Sequence, residues 1–296
     1  MATRDDTRRY ARQSAVTDPG DCRSALQGLP SAEPAALREL VPGLVIHAGM
    51  GELYGVNLSG RIGEARLRTL RGMLIRLLEL SSQPLGTPRP PARRLVGNCR
   101  ASTVLACGLL RAAGLPARAR CGFSAYFTSP ILGDHWVVEY RISEQPKWQL
   151  MDAELDDVLM ADNGIAFDPN DVPRARFVLA GEAWLGIRRG THDPARFGLD
   201  PSVTGAAYVR GQLMRDVAAL NMAEVGPWDV WGLGEPDRAL GAADLDLLDE
   251  VAHATVSASA GDDAVTRLWV EHPHLRPPEA FLRDPSEIRP PAATSS

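Results

Sequence analysis

Gly97-Asn98-Cys99-Arg100 is the stretch that decides the fold, because a segment rich in proline and arginine gives way there to a helical run. Two further stretches follow it on strand-like segments, first His135-Trp136 and then Trp148 to Asp152. Together they supply a thiol, an imidazole and a carboxylate in that order, which are the three groups of a thiol-nucleophile triad. The chemistry can therefore be argued from the sequence, whereas the identity of a substrate cannot.

The residues that follow Cys99 predict an α+β fold. Apolar residues recur at helical spacing from Cys99 to Ala113, and Gly114 followed by Pro116 is a typical helix ending. Ala117 to Phe127 then alternates with the period of two that a strand shows. A helix followed by antiparallel strands is characteristic of the α+β class.

A β-hairpin is predicted next, with strands His135 to Arg141 and Lys147 to Asp152 around the turn Ser143-Glu144-Gln145-Pro146. If the turn is centred on Ser143 and Glu144, Tyr140 pairs with Lys147 and His135 lies opposite Asp152. Directly opposed residues of an antiparallel pair have Cβ atoms roughly 4.5–5.5 Å apart. We therefore expect Asp152 to hold one ring nitrogen of His135 and to leave the other facing the sulfur. A slip of one residue would put the two side chains on opposite faces.

The start of the helix is where a reactive cysteine is expected. Asn98 is a good N-cap residue, which places Cys99 at the first helical position. The unpaired N–H groups and the dipole of the first turn favour a thiolate there. The backbone N–H of Cys99 is also expected to help hold the oxyanion of a tetrahedral intermediate.

Two other interpretations of the cysteines stay open. A cysteine in an apolar block is often only a small core residue, and this is the reading for Cys107 and Cys121. A zinc site built from Cys99, Cys107, Cys121 and His135 is the chemical rival, but the spacings match no usual ligand pattern. We expect no metal and no cofactor.

Composition restricts the partners and the compartment. The formal charge of -5 is mild, so neither nucleic acid nor an anionic membrane is the expected partner. The four cysteines form no CxxC pair, the first residues lack an apolar signal core, and no stretch approaches the roughly 18 apolar residues of a membrane span. The expected location is the cytoplasm, in a reducing, bacterial-type cytosol.

Five segments are expected along the chain. They are a polar and poorly ordered N-terminus at 1–28, a helical segment and proline-rich connector at 29–94, the catalytic core at 95–190, a C-terminal helical segment packing on the core at 191–284, and a disordered tail at 285–296. The clearest helix before the core is expected over Ile62 to Leu80, and the clearest helices after it over Tyr208 to Met222 and Ala242 to Val256.

The core resembles the transglutaminase-like superfamily, a branch of the papain-like cysteine enzymes. The likeness lies in the motifs at 97–100 and 109–118, in His135-Trp136-Val137-Val138-Glu139 and in Trp148-Gln149-Leu150-Met151-Asp152-Ala153. It implies a papain-like fold in which a cysteine-bearing helix packs on an antiparallel sheet with flanking helices. It also implies Cys99 as nucleophile, His135 as base and Asp152 as orienting carboxylate. Ala101 departs from the pattern, since members commonly have an acidic residue after Cys-Arg.

Several residues are weak candidates for contacting a substrate. Aromatic side chains suit an acyl chain or ring, and for this reason Tyr126, Trp136 and Trp228 are candidates, with Asn98 beside the thiol. Core packing is the competing interpretation for each aromatic residue. Arg118, Arg120 and Arg210 are expected to be solvated surface residues.

The function expected from these patterns is cysteine-dependent acyl transfer. A small-molecule or peptide acyl donor, bound as an amide or thioester, would acylate Cys99 and then pass the acyl group to an amine or to water. A carrier-bound thioester is among the candidate partners. The alternatives are a peptidase or amidase hydrolase, and a non-catalytic papain-like scaffold that binds a partner.

Overall fold

The computed structural model describes residues 8–30, 33–142, 147–258 and 263–284. Its α-helices are α1 (Pro34–Leu40), α2 (Leu70–Leu80), α3 (Cys99–Ala112), α4 (Asp157–Asn163), α5 (Ala180–Arg188), α6 (Ala206–Leu220), α7 (Ala242–Ser257) and α8 (Ala264–Glu271). Its strands are β1 (Val45–His47), β2 (Leu95–Gly97), β3 (Ala117–Ser124), β4 (Leu132–Tyr140), β5 (Gln149–Met151), β6 (Phe177–Leu179), β7 (Phe197–Asp200) and β8 (Val203–Thr204).

The main sheet has six strands, and β4 is its central member. The strand order is β6-β3-β4-β7-β8, with β5 also pairing with β4. All of these pairs are antiparallel except β4 with β7, which is parallel, while β1 and β2 form a separate parallel pair. Helix α3 packs against β3 and β4. The predicted α+β class, with a cysteine-bearing helix on a largely antiparallel sheet, is confirmed.

Helix α3 begins and ends as its sequence predicts. The Asn98 side chain accepts a hydrogen bond from the Ala101 N–H at 3.0 Å, so it caps the first turn. At the other end Gly114 has φ +78°, and the N–H of Leu115 donates to the Leu110 carbonyl at 2.9 Å. This is the Schellman ending, in which a glycine takes the left-handed conformation that other residues disfavour.

The helix expected over Ile62 to Leu80 is instead two pieces. Residues Ser59–Arg66 form a 3-10 segment, and α2 starts only at Leu70. Thr69 separates them, because its side chain accepts the Gly72 N–H at 3.0 Å and so caps a new helix. The Leu70 N–H is also bound to the Val16 carbonyl at 2.7 Å, which is not a partner within a helix.

The arginines expected at the surface of β3 are buried. Arg118 and Arg120 are at most 1 % exposed, and both donate to Glu139 Oε2 of β4, at 2.8 and 3.0 Å. Arg120 also binds both carboxylate oxygens of Asp216 on α6, at 3.0 and 2.9 Å. Arg210 is likewise buried, with its guanidinium on the Pro236 carbonyl at 3.3 Å. The expectation of solvated side chains was wrong, because α6 covers Arg118 and Arg120, and the segment at Pro236 covers Arg210, which lies on α6 itself.

The boundaries of the expected segments also differ in places. Tyr10, Val16 and Thr17 are buried, and the Tyr10 hydroxyl donates to the Leu220 carbonyl at 2.7 Å, so residues 8–28 pack on the molecule rather than being poorly ordered. Residues 1–7 and the expected tail at 285–296 lie outside the described residues. After residue 190, strands β7 and β8 extend the main sheet before the predicted helices α6 and α7 begin.

Within the part of the chain that the structure describes, no helix is both long and apolar enough to cross a membrane.

Candidate active site

Cys99 is the first residue of α3, and its neighbours fix its position. β2 ends at Gly97, where a Cβ atom would lie 2.7 Å from Val45 Cγ1 and 2.9 Å from Ala101 Cβ, so a larger residue does not fit without rearrangement. The Asn98 cap then turns the chain into the helix. The unpaired N–H groups and positive dipole end of the first turn therefore lie at Cys99.

Arg100 holds the start of α3 against the C-terminal half of the chain. Its guanidinium donates to the carbonyl oxygens of Val225 at 3.1 Å, of Leu67 at 3.3 Å and of Glu224. Burial lowers the pKa of Arg100 to about 10. The arginine that follows the cysteine therefore positions the helix start by binding three backbone carbonyls.

The structure brings His135 and Asp152 together through a register that differs from the predicted one. Tyr140 pairs with Gln149 rather than with Lys147, a shift of two residues. An even shift keeps both side chains on one face and makes them diagonal neighbours. His135 Nε2 lies 2.8 Å from Asp152 Oδ2. The predicted contact is present, although the predicted direct opposition was wrong.

Trp148, which lies just before β5, packs against residues outside the predicted hairpin. Its ring meets Tyr10 edge-on with centroids 5.5 Å apart, and the guanidinium of Arg118 lies 4.1 Å from the centroid of the indole ring. Trp148 is buried, and β5 begins at the next residue, Gln149. The predicted turn residues 143–146 lie outside the described residues.

Cys99 and the ring of His135 are close enough for each group to shift the pKa of the other, so the imidazole lies between the thiol and the carboxylate. Because Nε2 is engaged by Asp152, Nδ1 is the nitrogen available to the sulfur. The Cys99 side chain is almost fully enclosed, with the residue 8 % exposed. This is the order of contacts in which a carboxylate orients an imidazole and the imidazole serves a nucleophile.

Electrostatics couple the three groups. Burial raises the pKa of the Cys99 thiol, and the hydrogen bond and charge of His135 oppose that rise. Burial by itself would lower the pKa of His135, but the charge and hydrogen bond of Asp152 hold it well above its ordinary value. Burial would likewise raise the pKa of Asp152, yet His135 and the Tyr126 hydroxyl keep it below its ordinary value. The carboxylate is therefore ionised and favours the imidazolium.

Tyr126 belongs to this chain of contacts. Its hydroxyl donates to Asp152 Oδ2 at 2.6 Å, the same oxygen that contacts His135. The side chain is buried, and burial together with the Asp152 charge raises the pKa of Tyr126 well above its ordinary value. Tyr126 was expected to line a substrate cleft, and the structure instead places its polar end on the carboxylate.

Glu154 is a nearby acid that the sequence analysis missed. Its backbone N–H donates to Asp152 Oδ1 at 2.9 Å, and its Oε2 lies 4.0 Å from His135 Nδ1. Burial raises the pKa of Glu154. Its position two residues after Asp152 was the only signal in the sequence, and that signal is weak without the register.

Asp134 is a second missed acid, immediately before His135 on β4. Burial raises the pKa of Asp134, and a hydrogen bond from Tyr208 on α6 opposes the rise. The charges of Asp134 and Glu154 both act on the Cys99 thiol. The thiol is therefore surrounded by more carboxyl groups than the triad motif by itself contains.

The remaining predicted contact residues lie in different settings. Trp136 is buried in the core that contains Cys99, and its indole N–H has no hydrogen-bond partner among the described residues. Trp228 is 42 % exposed and has the Arg68 guanidinium 5.6 Å from its ring centroid. Asn98 is occupied as the helix cap. Whether any of them contacts a substrate stays a prediction.

Cys107 and Cys121 are buried in the same core as α3. Burial raises the pKa of Cys107 to about 12 and that of Cys121 well above its ordinary value. Both thiols are therefore expected to be unreactive. Among residues 8–30, 33–142, 147–258 and 263–284, no group of three or more potential metal ligands is found.

Residues 81–153 match the family model of the transglutaminase-like superfamily. The matched segment contains α3, β3, β4 and β5, and with them Cys99, His135 and Asp152. Over residues 81–153, this match confirms the resemblance expected from the motifs. No curated protein and no solved structure matches the chain.

Proposed function

We propose that this protein is a cysteine-dependent acyl-transfer enzyme in which Cys99 takes an acyl group from an amide or a thioester. The observation that carries the proposal is the chain of contacts from Asp152 through His135 to a thiol at a helix N-terminus. A transglutaminase-like domain has a papain-like fold and is often that of a cysteine enzyme. The same three residues are the ones whose types and spacing predict a triad.

In the first half-reaction, His135 holds the proton of Cys99 while the sulfur attacks the substrate carbonyl carbon. The Cys99 N–H, in the unpaired first turn of α3, donates to the developing oxyanion. When the tetrahedral intermediate collapses, His135 gives its proton to the leaving amine or thiol. The product of this step is a thioester on Cys99. Asp152 stabilises the imidazolium throughout.

In the second half-reaction the acyl group passes to an amine or to water. Transfer to water makes the protein a peptidase or amidase hydrolase, and transfer to an amine makes it an acyltransferase. Both share the acyl-enzyme, so the first half-reaction is the part that the triad supports directly. A small molecule, a peptide or a carrier-bound thioester is the proposed donor.

We further propose that the protein acts in the cytoplasm of a bacterial cell. All four cysteines are free thiols, and three of them are buried. Free thiols persist in reducing compartments, where disulfides are rare.

A non-catalytic scaffold is the second candidate, and one observation favours it. Cys99 is nearly enclosed and its thiol pKa is raised by burial, as expected of a structural cysteine. Asp152 is the reason to prefer the enzyme. A buried, ionised carboxylate on the far nitrogen of His135 has no evident purpose for a thiol that never loses its proton.

The test is intact-mass trapping with a pool of thioesters and amides of small acids. An acyl adduct on the wild-type protein that is absent from Cys99→Ala supports the proposal, and its mass identifies the donor. Alkylation by iodoacetamide at pH 7 supplies the second measurement. If no adduct forms, and if Cys99 reacts no faster than the partly exposed Cys22, the scaffold is the better description.

A further inference from the structure

Glu154 presents a buried oxygen that nothing in the described part of the chain satisfies. Oε2 is the oxygen nearer His135, while Oε1 is inaccessible to solvent and has no hydrogen-bond partner there. The side chain as a whole is 10 % exposed. Buried carboxylate oxygens are normally hydrogen-bonded, so Glu154 lacks the full pairing that a structural acid has.

The location of Glu154 indicates what its other oxygen, Oε2, can act on. Asp152 occupies Nε2 of His135, whereas Glu154 approaches Nδ1, the nitrogen that is left for the Cys99 sulfur. An acyl group on Cys99 would therefore have two bases on the same side, His135 and Glu154. Only His135 is needed to accept the proton of the thiol.

We infer that Glu154 binds the second nucleophile, an amine or water, and accepts its proton during attack on the Cys99 thioester. This inference rests on the proposed function and adds a catalytic residue to its second half-reaction. The nucleophile's N–H or O–H donates to Oε2, the oxygen that lies 4.0 Å from His135 Nδ1, because Oε1 is closed to solvent.

The second half-reaction begins with attack on the Cys99 thioester. The nucleophile forms a bond to the acyl carbon, and its proton passes to Oε2 of Glu154. The carbon–sulfur bond then breaks, and the sulfur leaves with the electron pair. The proton returns from Glu154 through His135 or solvent, which restores the free thiol and the carboxylate and releases an amide or a carboxylic acid.

Burial and the neighbouring charges act in opposite directions on Glu154. Burial and the charges of Asp152 and Asp156 raise its pKa, whereas the charges of His47 and His135 lower it, and the net shift is upward. A carboxylate whose pKa is raised is a stronger base than an ordinary one, which suits proton transfer from a nucleophile. His47 is the last residue of β1 and pairs with Gly97 of β2.

The experiment separates the two half-reactions with p-nitrophenyl acetate as the acyl donor. The p-nitrophenolate burst reports acetylation of Cys99, and the steady state reports transfer of the acetyl group to water or to added hydroxylamine. Glu154→Gln is expected to keep the burst and to slow the steady state about 100-fold, with acetylated protein accumulating in the intact-mass spectrum. Glu271→Gln, a change at an exposed acid far along the chain, is the matched control and is expected to leave both phases unchanged.

Two further variants make the role specific. Glu154→Asp is expected to have a higher steady-state rate than Glu154→Gln, because it keeps a carboxylate on a side chain that is one methylene shorter. Glu154→Ala is expected to be accelerated by added formate, which a purely structural role would not produce. A steady-state rate of Glu154→Gln equal to that of wild type would overturn the inference and leave the proposed function standing. Absence of a burst in wild type would instead overturn both.

Discussion

The two ends of β4 carry buried ionisable groups that differ in how completely they are paired. At one end, both carboxylate oxygens of Glu139 accept hydrogen bonds: Arg118 and Arg120 donate to one oxygen, and Arg174 donates to the other at 2.5 Å. At the other end, four residues earlier on the same face, His135 has Asp152 on one nitrogen and a thiol for the other. The first end is a closed network, whereas the second keeps a nucleophile and an unpartnered carboxylate oxygen.

The difference separates a structural role from a chemical one. Buried charges that hold a fold together need every lone pair and proton matched, because an unmatched one is costly. Glu139 meets that requirement and joins β3, β4 and the 3-10 segment of Arg174. Glu154 does not, and it lies beside the thiol. Incomplete pairing, rather than burial or charge alone, is what marks the reactive end of the strand.

The largest expected effect is the contrast between Glu139→Gln and Asp152→Asn. Removing the Glu139 charge leaves the buried Arg118 and Arg120 uncompensated, and loss of one partner from a buried pair costs about 3–5 kcal/mol. We expect that loss in the free energy of unfolding measured in urea. Asp152→Asn is expected to lose much less of the free energy of unfolding, because His135, unlike an arginine, can become neutral when its partner is removed. It is expected to acylate about 10⁴-fold more slowly, because an amide holds the wrong tautomer of His135.

The comparison fails if the two variants exchange their phenotypes. The acetylation burst of folded Glu139→Gln, measured at a temperature where the variant is still native, should be close to that of wild type. A burst as slow as that of Asp152→Asn would show that the two ends of β4 are one functional unit. Cys107→Ala is a useful reference, since it alters a buried thiol that takes no part in either network.

The groups that the sequence predicted correctly depend on local rules. Asn98 and Gly114 bound α3 because capping and the left-handed turn involve only neighbouring residues. His135 and Asp152 meet because strand alternation preserves their common face even though the register moved by two. The contact between His135 and Asp152 could be predicted because it needs the two side chains on one face of the sheet rather than an exact register.

The features that the sequence did not reveal depend on distant segments. Arg118 and Arg120 alternate with apolar residues as a solvated face does, but Asp216, 96 residues after Arg120, covers them from α6. β7 and β8 are too short to show a period, and they join the sheet because β7 pairs with the start of β4 and β8 pairs with β7. Glu154 became recognisable as part of the site only after the position of His135 was known.

Tyr126→Phe is expected to have an intermediate effect and to sharpen the comparison. It removes one hydrogen bond to a buried carboxylate but leaves the bond of Asp152 to His135 in place. Hydrogen bonds to charged groups contribute about 1.5–3 kcal/mol, so an acetylation burst roughly tenfold slower is a reasonable expectation. The Tyr126 hydroxyl helps to lower the pKa of Asp152. In Tyr126→Phe the acid limb of the plot of burst rate against pH should therefore move to higher pH. An unchanged profile would mean that Tyr126 only fills space.

The smallest expected effect is a pH-dependent difference in stability between wild type and His135→Gln. In the folded protein the pKa of His135 is raised above 6.5, so its stabilising contribution is complete below that value and is lost as pH rises through the raised pKa. The pKa of Asp152 is lowered below 3.8, so its contribution is present above that value and is lost as pH falls through the lowered pKa. The pair therefore stabilises most between about pH 4 and 6.5. Urea unfolding measured from pH 4 to 9 should show the largest difference in the free energy of unfolding between wild type and His135→Gln in that interval. Above the interval the difference should decrease progressively. A difference that instead grows with pH would mean that the ring is neutral in the folded protein, and that Asp152 orients an imidazole without making it an imidazolium.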